Sequence, residues 1–249
     1  MTNLDLMFGE TACQIKNFIK RRDFVMTNYA IIVAGGKGSR MQSDIPKQFL
    51  LLGQKPILIH TLEAFERCKI IDKIIVACSK DYIFHCDKLL REYDFKKVAK
   101  VIEGGEQRQN SVCNALKFID SDVVCIHDGV RPFVKSELIE KVVGECKNND
   151  GCICAVKVKD TIKRCSEYAL ETLDRENLYQ VQTPQAFKTE KLKRVYDLAA
   201  KENFIGTDDS SLMEHYGYKI KVVEGDSFNI KITTPEDLIF GQIYLGIEK

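Results

Sequence analysis

Apolar residues along the chain are spaced in two alternating ways. Short apolar runs recur at Tyr29–Ala34, Lys73–Cys78, Val98–Ile102, Val123–His127, Cys152–Val158 and Lys219–Glu224, and these read as strands. Between them apolar positions fall three and four apart, as at 58, 59, 62 and 65. That spacing predicts helices over Pro56–Arg67, Tyr82–Tyr93, Asn110–Ile119 and Ser136–Cys146. Later helices are predicted at Glu190–Lys201, near Asp208–Tyr216, and from Pro235, with Thr234 as its N-cap. Alternating strands and helices imply an α/β fold of parallel β-α units with right-handed crossovers.

The alternation breaks between 157 and 180. Two β-like pieces, Asp160–Arg164 and Ala169–Leu173, flank the turn-prone Ser166-Glu167. They are too polar for a core strand, so this stretch is expected to project as a hairpin arm. Residues 1–27 are expected to be an N-terminal extension to a domain spanning 28–249. They lack the apolar core and small-residue cleavage site of a secretory signal, and Met26 opens a credible start of the fold.

Composition narrows the function. A chain of 249 residues can bury one sizeable core, and a formal charge of +1 gives no global field to attract nucleic acid. No apolar run approaches a membrane span. The ten cysteines are scattered and contain no CxxC pair. They read as small core residues of a protein in a reducing cytoplasm, not as staples or metal ligands.

Ligands of parallel sheets bind beyond the carboxyl ends of the strands, and three polar clusters fall there. The first is Gly35–Arg40, glycine-rich and followed by Pro46. Lys37, Arg40 and Lys47 place three cations within eleven residues. It fits neither the P-loop, because Lys37 precedes Gly38, nor the dinucleotide fingerprint, because Met41 stands where the third glycine belongs. Such a loop can bring backbone N–H groups against a polyphosphate. The second, Gly104–Arg108, ends a strand and leads to Ser111 near a helix start, where a ribose, base edge or anion could bind. In the third, Asp128 ends a strand and suits Mg²⁺ or a substrate hydroxyl. Arg131 suits a phosphate or an ion pair with Asp128. His127 reads as a hydrogen-bonded core residue. Lys231, a lone cation in an apolar segment, needs an anion to meet. Asp208 and Asp209 read as a helix cap. Cationic loops and an acidic strand end, without a nucleophilic triad, suit phosphoryl or nucleotidyl transfer by charge stabilisation.

Eight ordered segments carry a resemblance: AGGKGSRM, PKQF, GGEQRQNSV, HDGVRPF, KDTIKR, QTPQAF, TDDSSLME and NIKITTPEDL. Through them the chain, from about residue 27 to 247, resembles the 2-C-methyl-D-erythritol 4-phosphate cytidylyltransferases of non-mevalonate isoprenoid synthesis. The resemblance implies a doubly wound, mostly parallel Rossmann-like nucleotidyltransferase sheet. Its implied chemistry is attack by a sugar-alcohol phosphate on the α-phosphorus of CTP with Mg²⁺, releasing pyrophosphate. Arg40, Lys47 and Lys231 are then the catalytic cations. Ala34, Gly35, Gly36, Lys37, Gly38 and Ser39 wrap the triphosphate. Gly105, Glu106 and Ser111, with Asp128, hold the nucleotide. Asp128, Arg131, Thr161, Arg175, Thr183 and Lys231 line the acceptor side. The family's arm embraces a second subunit, which implies a cytoplasmic homodimer in which Thr161 and Arg175 complete the partner's site.

Two departures stand out. Ala34-Gly35-Gly36 replaces the family's usual Ala-Ala-Gly, and Glu106 stands where Asp is common. Gly-Gly-Lys-Gly is also typical of ribitol-5-phosphate cytidylyltransferases, the nearest rival, although KDTIKR, Arg175 and TDDSSLME look more like the isoprenoid enzyme. A nucleotide-binding regulatory module without turnover would be favoured by loss of Lys47 or Lys231, and both are present.

Overall fold

The computed structural model describes residues 26–36, 41, 43 and 45–247. Residues 1–25 of the expected extension over 1–27, and the loop residues Lys37, Gly38, Ser39 and Arg40, lie outside the described residues.

The chain enters through β1 (Asn28–Ala34). Pro46 is extended and Lys47–Phe49 forms a single 3₁₀ turn. A small hairpin, β2 (Leu51–Leu52) and β3 (Lys55–Pro56), turns at Gly53, whose φ of 63° favours glycine. Three β-α units follow the predicted rhythm. They are α1 (Ile57–Arg67), β4 (Lys73–Cys78) and α2 (Ile83–Glu92), then β5 (Val98–Glu103) and α3 (Arg108–Leu116), then β6 (Val123–Asp128) and α4 (Ser136–Glu145). Next come β7 (Gly151–Lys157), the arm strands β8 (Lys163–Cys165) and β9 (Ala169–Thr172), and β10 (Tyr179–Lys188). The chain closes with α5 (Thr189–Glu202), α6 (Asp209–His215), β11 (Ile220–Glu224) and α7 (Pro235–Ile247). Thr234 accepts the Asp237 amide, as its predicted capping role requires.

Seven strands form one sheet in the order β11-β7-β10-β6-β1-β4-β5. All run parallel except β10, which is antiparallel to both β6 and β7. Alternating side chains feed two cores. Ala30, Ile32, Ile74, Val76 and Cys125 face α1, α2 and α4, where Leu62, Phe65 and Ile139 are buried. Ile31, Ile75, Val124 and Ile126 face α3, α5 and α6, where Val112, Leu192 and Met213 are buried. Burial on both faces is why these strands read as unbroken apolar runs. Seven of the nine described cysteines are buried and all nine are free thiols, consistent with the core reading. Burial pushes Cys146, Cys152 and Cys154 up to about 12, which leaves them unreactive.

The sequence pattern does not predict β10, although it lies in the middle of the sheet. Its buried stretch carries Gln182, Thr183, Pro184 and Gln185, and no apolar run marks it. Both glutamines are bonded at each end of the amide. Gln185 donates to Asp208 and accepts from the Ser210 amide, and Gln182 exchanges two bonds with the backbone of Asp226. Those bonds permit polar burial where propensity argues against a strand. The register shifts between Val181 and Gln185, which brings Thr183 beside the end of β6.

The hairpin arm is present as β8 and β9, paired only with each other and exposed at every residue. It begins at Lys163, slightly later than the pattern predicts.

Candidate active site

Three strand ends converge on one cleft of about 170 Å³. The end of β1 contributes Ala34, Gly35 and Gly36, the β5–α3 turn contributes Gly105 to Ser111, and β6 contributes Asp128. Lys47 and Lys231 also line it. Gln48 donates to the Ala34 carbonyl and braces the end of β1 from behind.

The β5–α3 turn is built from its own residues. Ser111 is buried, and its hydroxyl accepts the Gly105 amide at 3.0 Å and donates to the Gln107 carbonyl at 3.2 Å. Asn110 accepts the Gln107 amide at 3.2 Å, so the start of α3 is capped. A Cβ on Gly105 would lie 2.2 Å from that of Asn110, so only glycine fits. Helix α3 begins two residues earlier than predicted, which places Arg108 in its first turn, inside the cleft.

Asp128 is the electrostatic centre. Lys231 Nζ is 2.9 Å from Oδ2, Arg131 Nε is 3.5 Å from Oδ2, and Arg108 Nε is 3.2 Å from Oδ1. Burial alone would raise this carboxyl. Arg108, Lys231 and Arg131 outweigh it and hold Asp128 well below the usual carboxylate range. The anion that Lys231 needed is therefore Asp128. Arg131 also donates to the Asn229 carbonyl at 2.8 Å, which ties β6 to the segment before α7.

His127 and Thr183 fix the backbone that carries this carboxylate. The Asp128 amide donates to the Thr183 hydroxyl at 3.1 Å, and that oxygen is 3.0 Å from His127 Nδ1. His127 Nε2 lies 3.2 Å from the Arg131 carbonyl, which can only accept, so Nε2 carries the proton and Nδ1 accepts from Thr183. Burial drives the His127 pKa down to about 3, so the imidazole is neutral, a core residue as expected. The hydroxyl of Thr183 is thus committed to the end of β6.

A second cavity of about 450 Å³ lies on the far side of this centre, lined by Arg131, Lys157, Lys159, Asn229 and Lys231 among others. Lys231 lines both cavities, so the Asp128–Lys231 pair stands where they adjoin. Thr161 and Arg175 line neither one. Both are exposed on the arm, with Arg175 donating to the Lys159 carbonyl.

Sequence reasoning missed Arg108, Asp209 and Tyr196. Asp208 does cap α6, accepting the Ser211 amide. Asp209 is fully buried, pairs with Arg108 Nη1 at 2.6 Å and accepts from the Tyr196 hydroxyl at 2.6 Å. A cap needs one carboxylate, so the doubled Asp was the available signal.

Among the described residues, no group of three or more His, Cys, Asp or Glu converges as a metal site. Asp128 is the cleft's buried carboxylate. That donor set suits an Mg²⁺ held mainly by substrate phosphates, which takes only one or two protein carboxylates.

Comparison with known proteins agrees with this geometry. The family model of 2-C-methyl-D-erythritol 4-phosphate cytidylyltransferase matches residues 28–247. The Clostridium novyi (strain NT) protein of that name is 46% identical over 222 residues, covering 88% of this chain and 96% of its own. The Geotalea uraniireducens (strain Rf4) protein of that name is 45% identical, covering 87% and 95%. The crystal structure of 4-diphosphocytidyl-2C-methyl-D-erythritol synthase from Anaerococcus prevotii DSM 20548 superposes with a TM-score of 0.80. It is 37% identical and covers 89% of this chain and 97% of that one. The chain belongs to the 2-C-methyl-D-erythritol 4-phosphate cytidylyltransferase family.

Proposed function

We propose that the protein transfers the cytidylyl group of CTP to 2-C-methyl-D-erythritol 4-phosphate and releases pyrophosphate. The observation that carries this reading is the position of Lys231 and Asp128 between two cavities, one for each substrate. The glycine-lined cleft takes CTP. The backbone at the β1 end and the β5–α3 turn lines it. The cavity lined by Arg131, Lys157 and Lys159 is cationic and takes the acceptor's phosphate.

In the reaction an acceptor phosphate oxygen forms a bond to the α-phosphorus while its bond to the bridging oxygen of pyrophosphate breaks. Negative charge builds on the oxygens of the five-coordinate phosphorus. Lys47, Lys231 and Arg40 supply the compensating positive charge, Arg40 from the glycine loop. Asp128 keeps Lys231 in place, and the brace of Thr183 and His127 keeps Asp128 in place. Preorganised cations of this kind need no rearrangement as charge develops. Mg²⁺ held by the triphosphate oxygens would neutralise charge on the departing pyrophosphate, while Asp128 stays paired with its three cations.

The arm completes the arrangement in a homodimer, carrying Thr161 and Arg175 to the acceptor cavity of a second copy. In support, both residues flank a hairpin whose two strands, among the described residues, pair only with each other. CTP as substrate and the free thiols favour a cytoplasmic location. No helix among the described residues is long and apolar enough to cross a membrane.

Replacing Lys231 tests the assignment. Lys231→Ala should lower turnover about a hundredfold, the loss expected for one transition-state charge contact. Arg108 and Arg131 still neutralise Asp128, so cooperative unfolding should persist. Turnover near that of the unaltered protein would remove Lys231 from the reaction.

A further inference from the structure

The Arg108 guanidinium bridges two carboxylates whose positions in the chain are far apart. Nε meets Asp128 Oδ1 at 3.2 Å, and Nη1 meets Asp209 Oδ2 at 2.6 Å. Asp209 has no solvent exposure, and its other oxygen accepts from Tyr196, on the buried face of α5. The anchor is therefore rigid and lies away from the cleft, while the working end of the arginine lines it. Burial would lower the Arg108 pKa, but Asp209 and Asp128 more than reverse this, so the charge is permanent.

The three cations around Asp128 do different work. Lys231 and Arg131 both address Oδ2. Among the described residues Arg108 alone addresses Oδ1, and with Oδ2 already fixed, a second contact at Oδ1 determines how the carboxylate plane is turned. Among the described residues, the buried Arg108 Nη2 meets no hydrogen-bond partner.

We propose that Arg108 is a positioning residue for the cytidylyl transfer. It orients the Asp128 carboxylate, and through it Lys231, from an anchor formed by Asp209 and Tyr196. The proposal rests on the cytidylyltransferase reading of this cleft. Lysine cannot bridge both carboxylates, yet it keeps a cation against Asp209, so Arg108→Lys separates geometry from charge.

The decisive experiment measures Arg108→Lys in two backgrounds, unaltered and Asp128→Asn, by steady-state pyrophosphate release from CTP and the acceptor. In the unaltered background, kcat should fall at least tenfold while the KM for CTP changes less than threefold. In the Asp128→Asn background the same substitution should cost less than threefold, because Arg108 acts through that carboxylate. Equal losses in both backgrounds would overturn the proposal. If Arg108→Lys does not fold, Asp209→Asn replaces it. A fall in kcat then supports the anchor, and a lower melting temperature with unchanged kcat refutes it. No turnover by the unaltered protein would refute the underlying reading instead.

Discussion

The Asp128 centre and the hairpin arm carry residues of comparable polarity, and the fold treats them in opposite ways. Around Asp128 a carboxylate, three cations, a neutral histidine and a threonine hydroxyl are buried or half-buried and bonded to one another. On the arm every residue of β8 and β9 is exposed, and Tyr168 and Leu170 present large apolar surface to solvent. The first region is finished within one chain. The second is open to solvent, and in the proposed dimer its side chains would gain a fixed place against another surface. Catalytic charge can be preorganised in the buried region, whereas on that proposal the arm contributes after assembly.

The largest effect that separates the two regions comes from mixing variants. Lys231→Ala disables the body of a subunit, and Arg175→Ala disables the arm it lends. Each variant alone should lose most of its turnover. Hybrids regain one intact site per dimer, so an equal mixture after refolding together should recover about a quarter of full activity. A mixture no more active than its components would place Arg175 in its own chain's site or in none.

A smaller effect is expected where the cleft is packed backbone to backbone. Gly105→Ala forces a Cβ to within 2.2 Å of Asn110 and should cost about 1–3 kcal/mol, read by urea unfolding. The KM for CTP should rise with kcat little changed. An unchanged KM would show that the β5–α3 turn does not shape the nucleotide side.

Over the interval from pH 6.5 to 5, the smallest effect, under about 2 kcal/mol, is in the pH dependence of stability. His127 is neutral in the fold, with a pKa of about 3 against 6.5 for an unhindered imidazole. As pH falls below 6.5 the unfolded chain binds a proton that the native state refuses. The stability is complete above that pH and is lost as pH falls towards 3, with a slope approaching about 1.4 kcal/mol per pH unit. Between pH 6.5 and 5 few carboxylates titrate, so the slope belongs mainly to imidazole there. His127→Gln should flatten it, and an unchanged slope would assign it to another group.

What the sequence made legible follows from the distance over which each signal acts. The parallel strands were readable because burial on both faces leaves apolar runs, and the arm because its polarity breaks them. Lys231 was readable as a cation needing an anion, and residues from all three strand-end clusters, Gly35 and Gly36, Gly105 to Arg108, and Asp128, meet in one cleft. β10 was hidden because glutamines bonded to Asp208 and Asp226 take the place of apolar residues. Arg108 and Asp209 were hidden differently. They are 101 positions apart, and each had an adequate local role, one at a helix start and one beside a cap. Pairs of that kind are defined only by the closed fold.

The central claim is cytidylyl transfer to a methylerythritol phosphate. It is tested most directly by pyrophosphate release from CTP and Mg²⁺ with 2-C-methyl-D-erythritol 4-phosphate and D-ribitol 5-phosphate supplied separately. Turnover with the first and not the second is the predicted result. Turnover with ribitol phosphate alone would keep the chemistry and contradict the acceptor, and with it the role given to the arm.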